Sequence, residues 1–201
     1  EETLAAAEKA GRSNVVLGGE RGGKRIEGFD LGNSPAEYTA NIIRGRSVHI
    51  TTTNGTQALY HARQAKRVIV GAIVNRSAVV ASLKNEPRID ILCAGTNGEI
   101  TREDIMAAGA IVALLRERSK GRGMISKDAD TAMGVWRSLE NAAPLAGINL
   151  CEMLVRSLRF SEGGRNLIEI GLDHDLADCA QVDQLSIVPE LNVQEWKIRP
   201  V

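Results

Sequence analysis

Aromatic side chains are scarce in this chain of 201 residues: two Trp, two Tyr and two Phe make 3% of it, so Val, Ile, Leu and Ala have to fill any core. Cysteine is nearly as rare. Cys93, Cys151 and Cys179 are odd in number, far apart and without C-x-x-C spacing, which favours a reducing compartment. Neither sign of charge dominates, with 25 Lys and Arg against 25 Asp and Glu, so no global field recruits a polyanion such as DNA. No apolar run approaches the roughly 18 residues of a membrane-spanning helix, and no signal peptide is read at the start. The G-x-x-x-x-G-K-[ST] pattern is absent, as is a G-x-G-x-x-G opening a helix after a strand, so no nucleotide cofactor is expected. These absences together predict a cytoplasmic protein that partners neither membrane nor nucleic acid; self-association stays open.

What remains is an ordinary globular composition, 43% hydrophobic and 25% charged, on a chain long enough for one substantial core. Residues 1–10 are alanine-rich and read as a helix stopped by Gly11, after which Asn14-Val15-Val16-Leu17 starts a strand. An α/β domain that opens on a helix implies a strand and turn ahead of it, and this sequence does not contain them. Past Gly18-Gly19-Glu20-Arg21-Gly22-Gly23 the stretch 24–30 alternates weakly, and Leu31-Gly32-Asn33-Ser34-Pro35 reads as a loop. Residues 38–43 fit a short helix or an irregular connector. Strands at 47–51, 67–72 and 89–93 then alternate with helices at 57–66, 77–83 and 102–118, a succession that calls for parallel strands with right-handed crossovers. After Lys120-Gly121-Arg122-Gly123 the pattern turns helical, at 128–140, 147–156, 164–170 and 174–181. Extended pieces close the chain at 186–190 and 193–198, with Pro189 suited only to an edge strand or a strand end. The expected fold is one α/β domain over 1–201, three-layer α/β/α with a mostly parallel or mixed sheet. Its βα-repeat part (1–119) and helical part (120–201) would pack as one unit.

In an open parallel sheet, ligands bind outside the carboxyl ends of the strands. The turns at 18–23, 51–56, 71–77 and 94–101 would share that edge, gathering Glu20, Arg21, Thr53, Asn54, Thr56, Asn75, Cys93, Thr96, Glu103 and Asp104. Thr51-Thr52-Thr53-Asn54-Gly55-Thr56 is the most informative stretch. Its N–H groups and hydroxyls can cradle a phosphate ahead of a helix, or Asn54-Gly55 can be a plain tight turn with Thr56 as cap. Glu20 and Arg21 between glycine pairs are either routine loop charges or a guanidinium grip on an anion beside a carboxylate for metal or water. Glu103-Asp104 suit a helix start on dipole grounds alone. Cys93 invites a nucleophile reading, yet position 99 of its loop is Glu99 where a cysteine phosphatase needs an arginine, so a small buried side chain is expected. His174, Asp175, Asp178 and Cys179 have a helical spacing that suits a metal, or equally a cap at Asp173 with Cys179 in the core. His49 and His61 read as structural.

Taken in order, Glu20-Arg21-Gly22-Gly23, Ile26-Glu27-Gly28-Phe29-Asp30-Leu31-Gly32-Asn33-Ser34-Pro35, the 51–56 stretch, Cys93-Ala94-Gly95-Thr96, Glu103-Asp104 and Asp175-x-x-x-Cys179-Ala180-x-x-Asp183 resemble the 2-phosphosulfolactate phosphatase family. The resemblance runs from about residue 15 to 189. It implies a magnesium-dependent hydrolase that removes phosphate from 2-phospho-3-sulfolactate, whose product leads towards coenzyme M, or from a closely related small phospho-acid; the alternative is a non-catalytic or differently specific binder of small phospho- or sulfo-acids on the same scaffold. It also implies catalytic roles for Glu20, Arg21 and Asp104 and metal ligands among Glu20, Asp30, Glu103 and Asp104. Substrate contacts would come from Gly22, Gly23, Asn33, Ser34, Thr53, Asn54, Gly55, Thr56, Asn75, Gly95 and Thr96. The family's first strand ends in an Asp-Val-x-Arg-Ala-[Ser/Thr]-Thr motif with no counterpart in this sequence.

Overall fold

The computed structural model describes residues 3, 5, 7, 8 and 11–201. Most of the helix expected over 1–10 lies outside the described residues; Thr3, Ala5, Ala7 and Glu8 are helical, and Ala7 is buried against Val15, Leu17 and Phe29.

Strand β1 (Val15–Arg21) is the spine of a three-stranded mixed sheet in the order β2-β1-β3. It runs parallel to β3 (Ser47–Thr51), from Val15 opposite Ser47 to Gly19 opposite Thr51. It also turns back through Gly22 and Gly23, both at positive φ, into the short antiparallel β2 (Lys24–Arg25). Only the central strand is covered on both faces, and its residues from Val15 to Glu20 are buried accordingly.

The eight helices described from Ala40 onward are α1 (Ala40–Ile43), α2 (Gly55–Ala62), α3 (Arg76–Ser82), α4 (Arg102–Arg118), α5 (Lys127–Leu145), α6 (Leu150–Arg159), α7 (Glu162–Glu169) and α8 (Asp175–Cys179). The chain closes on an antiparallel pair, β4 (Pro189–Asn192) and β5 (Lys197–Pro200). Helix starts follow their side chains. Thr101, Ser126, Asn149 and Ser161 each accept the N–H of the residue three positions on, and Asn149 with Glu152 forms a capping box. Helix α4 carries Glu103 and Asp104 in its first turn and Arg116 and Arg118 in its last, both complementary to its dipole.

With aromatics so few, one of them anchors the main core. Trp136 of α5 is fully buried among Met106, Ala110, Leu139, Leu154, Leu158 and Leu176. Gly109 of α4 lets the two longest helices meet there, since a methyl group in its place would overlap the Ala132 carbonyl.

The helix-rich second half and a mixed sheet match expectation, and the size of the sheet does not. The protein is mixed α/β, 47% helical and 13% strand, without the expected stack of parallel strands. Residues 67–72 make a single bridge, Ile69 to Glu190. The Val70 N–H donates to the Pro189 carbonyl and the Leu191 N–H to that of Val68, so this segment joins β4 antiparallel. Residues 89–93 form no strand among the described residues. A strand exists only through its neighbours. With β3 at the sheet edge and 89–93 unpaired, Val48, Ile50, Ile91 and Leu92 are left exposed.

Candidate functional site

Four segments distant in sequence interlock beyond the carboxyl ends of β1 and β3, and Glu20 joins the first two of them. Its side chain, 9% exposed, accepts the Thr53 N–H on Oε1 at 2.7 Å. Its Oε2 accepts the Gly23 N–H at 2.9 Å and the Thr53 hydroxyl at 3.3 Å. One carboxylate thus ties the turn after β1 to the turn after β3. Next, Asn54 Oδ1 accepts the Asn97 N–H at 3.3 Å, joining the 94–101 loop. Asp104 Oδ2 accepts the Gly95 N–H at 2.7 Å and the Thr101 hydroxyl at 2.9 Å, fixing that loop to the start of α4. Lastly, Glu103 Oε1 accepts the Gly163 N–H at 3.2 Å, drawing in α7. The middle of α7 also lies against the first turn, because a side chain at Gly23 would overlap the Asn166 amide.

Within the 51–56 turn, the Thr53 N–H is taken by Glu20 and the Thr56 N–H by the Thr52 hydroxyl, while the Thr56 hydroxyl donates to the Thr52 carbonyl. The N–H groups of Asn54 and Gly55 at the mouth of α2 have no acceptor among the described residues. Two convergent donors at a helix start can receive an oxyanion. Arg21 is exposed on the same turn as Glu20 and, among the described residues, donates only to the adjacent Glu20 carbonyl, at 2.9 Å.

Burial pushes the Glu20 carboxyl up, yet the Gly23 and Thr53 donors and the charge of Arg21 outweigh it and hold it below its ordinary 4.5. Asp183 behaves alike: burial raises it, and the Ser77 and Arg76 donors bring it below its ordinary 3.8. A carboxyl lowered in the folded state stabilises fully above its unfolded value, and that contribution is lost as pH falls through the folded one. The thermal midpoint is therefore expected to hold steady from neutrality down to about pH 5 and to drop steeply below about pH 4. Glu20→Gln flattens part of that drop; a midpoint equally acid-sensitive in Glu20→Gln would count against Glu20 as a contributor.

Several expected site residues are placed elsewhere. Asp30 pairs with Arg12 at 2.8 Å and accepts the Leu17 N–H at 2.8 Å, so it braces the middle of β1 rather than its end. Asn75, 4% exposed, spends its amide on the Ala72 N–H and the Val70 and Ile187 carbonyls. Ser34 is buried and gives its hydroxyl to Asp175 at 2.7 Å, while its neighbour Asn33 is exposed. Thr96 exchanges both backbone hydrogen bonds with Glu99 in a tight turn. Cys93 is exposed rather than the expected small buried side chain; partial desolvation, then Asp104, pushes its thiol up, against the thiolate a nucleophile needs. The sequence places this helix at 164–170 but not at the site, although two glycines in its first turn, Gly163 and Gly164, are a local signal of close approach.

Two carboxylate oxygens near this junction have no hydrogen-bond partner among the described residues. Among the described residues no three His, Cys, Asp or Glu side chains gather as a metal cluster, and both Glu20 oxygens are occupied. However, Glu103 Oε2 is buried without a partner, and Asp104 uses only Oδ2. Magnesium keeps several waters and needs only one or two carboxylates, so either open oxygen suits it singly, whereas the oxygens of Glu20 and Asp30 are already taken.

The model of the family described as 2-phosphosulpholactate phosphatase matches residues 1–194. A probable 2-phosphosulfolactate phosphatase of Thermotoga petrophila is 35% identical over 189 residues, 94% of this chain and 76% of that protein. One from Clostridium beijerinckii is 36% identical over 191 residues, 94% of this chain and 75% of its own length. A relative of the same description in Clostridium botulinum reaches 46% over 121 residues, 59% of this chain. The junction at Glu20 is therefore built from segments that fall inside the matched region, and the chain belongs to the 2-phosphosulfolactate phosphatase family of phosphoric monoester hydrolases.

Proposed function

We propose that this protein hydrolyses the phosphate monoester of 2-phospho-3-sulfolactate to sulfolactate and inorganic phosphate, with magnesium, in the cytoplasm, on the way to coenzyme M. The observation that carries the reading is the Glu20 junction, which uses up one carboxylate to fix the 51–56 turn and leaves the Asn54 and Gly55 N–H groups open among the described residues. Hydrolysis of a phosphate monoester needs in-line attack and neutralisation of the equatorial oxygens, achieved mainly by positioning and electrostatics. In this reading the Asn54 and Gly55 N–H groups hold phosphate oxygens, and the Arg21 guanidinium forks onto a second anionic group, phosphate or sulfonate. Gly22, Gly23, Gly95 and Thr96 shape the walls. Glu20 acts by holding the two turns in register. Glu103 Oε2 and the unpaired oxygen of Asp104 are the groups that would hold magnesium. Bound there, the ion supplies charge neutralisation at the phosphoryl oxygens.

The test is phosphate release by purified protein from 2-phospho-3-sulfolactate and from phospholactate, with magnesium, with chelator, and with magnesium restored. Release from the sulfonate ester, at least tenfold slower turnover of phospholactate and full loss with chelator are expected, because a site built for a charged group rejects an analogue lacking it. Equal turnover of both esters would remove the sulfonate from the reading. No release from either, with the ester still bound, would make the protein a binder rather than an enzyme.

A further inference from the structure

Ser34 and Asp175 lie 141 residues apart, and each is nearly sealed from solvent, at 2% and 3% exposed. The serine hydroxyl donates to Asp175 Oδ1 at 2.7 Å, and His174 Nε2 approaches the same oxygen at 3.3 Å. A carboxylate buried this deeply is costly unless its oxygens receive donors, and the Ser34 hydroxyl is the side-chain donor it has among the described residues.

The loop that Ser34 ends is laced to β1 immediately before Glu20. The Asp30 and Leu31 N–H groups donate to the Leu17 carbonyl, each at 3.0 Å, and the Gly19 N–H is shared between the Leu31 and Gly32 carbonyls at 3.2 and 3.1 Å. Gly32 is gripped on both sides, its N–H by Glu37 at 2.7 Å and its carbonyl by the Tyr38 hydroxyl at 2.8 Å. The loop is therefore held to Gly19 by backbone hydrogen bonds. Its far end has one tether to the helical half of the molecule among its side-chain hydrogen bonds, the Ser34 to Asp175 bond.

We infer that Asp175 is a positioning residue for the hydrolysis: through Ser34 it pins the 30–34 loop, and through Gly19 it sets where Glu20 holds the two anion-binding turns. This rests on the phosphatase reading above. It gives the helical half of the chain a part in the reaction without any of its residues touching the substrate through this route. A group acting at this remove changes the turnover step more than substrate binding, because binding contacts survive while their alignment with the reacting atoms is lost.

Three variants test it: Ser34→Ala, Asp175→Ala and Asp175→Asn, the last keeping an acceptor for the Ser34 hydroxyl. Each is read by steady-state kinetics on 2-phospho-3-sulfolactate and by amide hydrogen exchange at residues 17–34. Ser34→Ala is expected to lower kcat roughly 10- to 100-fold while KM stays within about threefold. Exchange at Gly19 and Gly32 should rise with no change in α4, and Asp175→Asn should recover most of both. Unchanged exchange in Ser34→Ala overturns the tether. Faster exchange with wild-type kcat overturns the link to catalysis, as does an Asp175→Asn variant as impaired as Asp175→Ala. A wild-type protein that releases no phosphate would instead refute the phosphatase reading, while the exchange experiment still decides the tether.

Discussion

Glu20→Ala is expected to lower kcat/KM by roughly 10²- to 10³-fold, the scale of losing preorganised groups around a developing charge. The same change costs about 2–4 kcal/mol of stability, because three donors lose their acceptor in a region nearly closed to water. The Gly23 and Thr53 N–H groups and the Thr53 hydroxyl converge on this one side chain. Water entering the gap would re-satisfy some of them without restoring the distance between the turns. Glu20→Gln retains the shape but presents an NH₂ to one of the two N–H donors, so its losses should fall between wild type and Glu20→Ala. The measurements are phosphate release and urea unfolding of the same three proteins. Kinetics within threefold of wild type for Glu20→Ala would show that the turns hold themselves, and Glu20 would lose its role.

The readability of this molecule from its sequence divides by distance along the chain. Helix α4 could be placed at 102–118 because its cap, its acidic first turn and its basic last turn are all local. The short range of the Glu20 to Gly23 contact likewise sits within one recognisable turn. The Ser34 to Asp175, Glu103 to Gly163 and Asp183 to Ser77 bonds span 141, 60 and 106 residues, and no periodicity encodes such a partner. The residue types alone therefore mislead. Ser34 and Asn75 look like polar loop residues free for a ligand, and both are buried on backbone or carboxylate partners. Asp30 looks like a spare carboxylate until Arg12 is brought beside it. The expected strands at 67–72 and 89–93 fail for a related reason. An apolar run states that a segment wants cover, while whether it becomes a strand depends on a neighbour at its edge.

Gly19→Ala is expected to be the most damaging single methyl group near the site. Gly19 sits in register opposite Thr51, with φ at +148°, and a Cβ there would overlap the Thr51 carbonyl oxygen. That atom is backbone of a paired strand, so it has no rotamer by which to retreat. Either the parallel pair opens or Gly19 swings away, and both displace the residues on either side: Glu20 follows Gly19, and Thr51 begins the turn whose Asn54 and Gly55 N–H groups are left open. The expected cost is about 3 kcal/mol or more, from overpacking together with a backbone conformation that L-residues rarely adopt. The folded fraction should lose kcat/KM by at least about 10²-fold, since misplacement on the order of 1 Å reaches that size. Gly22→Ala is the control. Gly22 has φ of +59° with no atom within 4 Å of the added carbon, so it should cost only about 1 kcal/mol. Urea midpoints and phosphate release for the two variants separate the effects. If Gly19→Ala were no worse than Gly22→Ala, the close approach of β1 to β3 would not be what aligns Glu20 with the turn it holds.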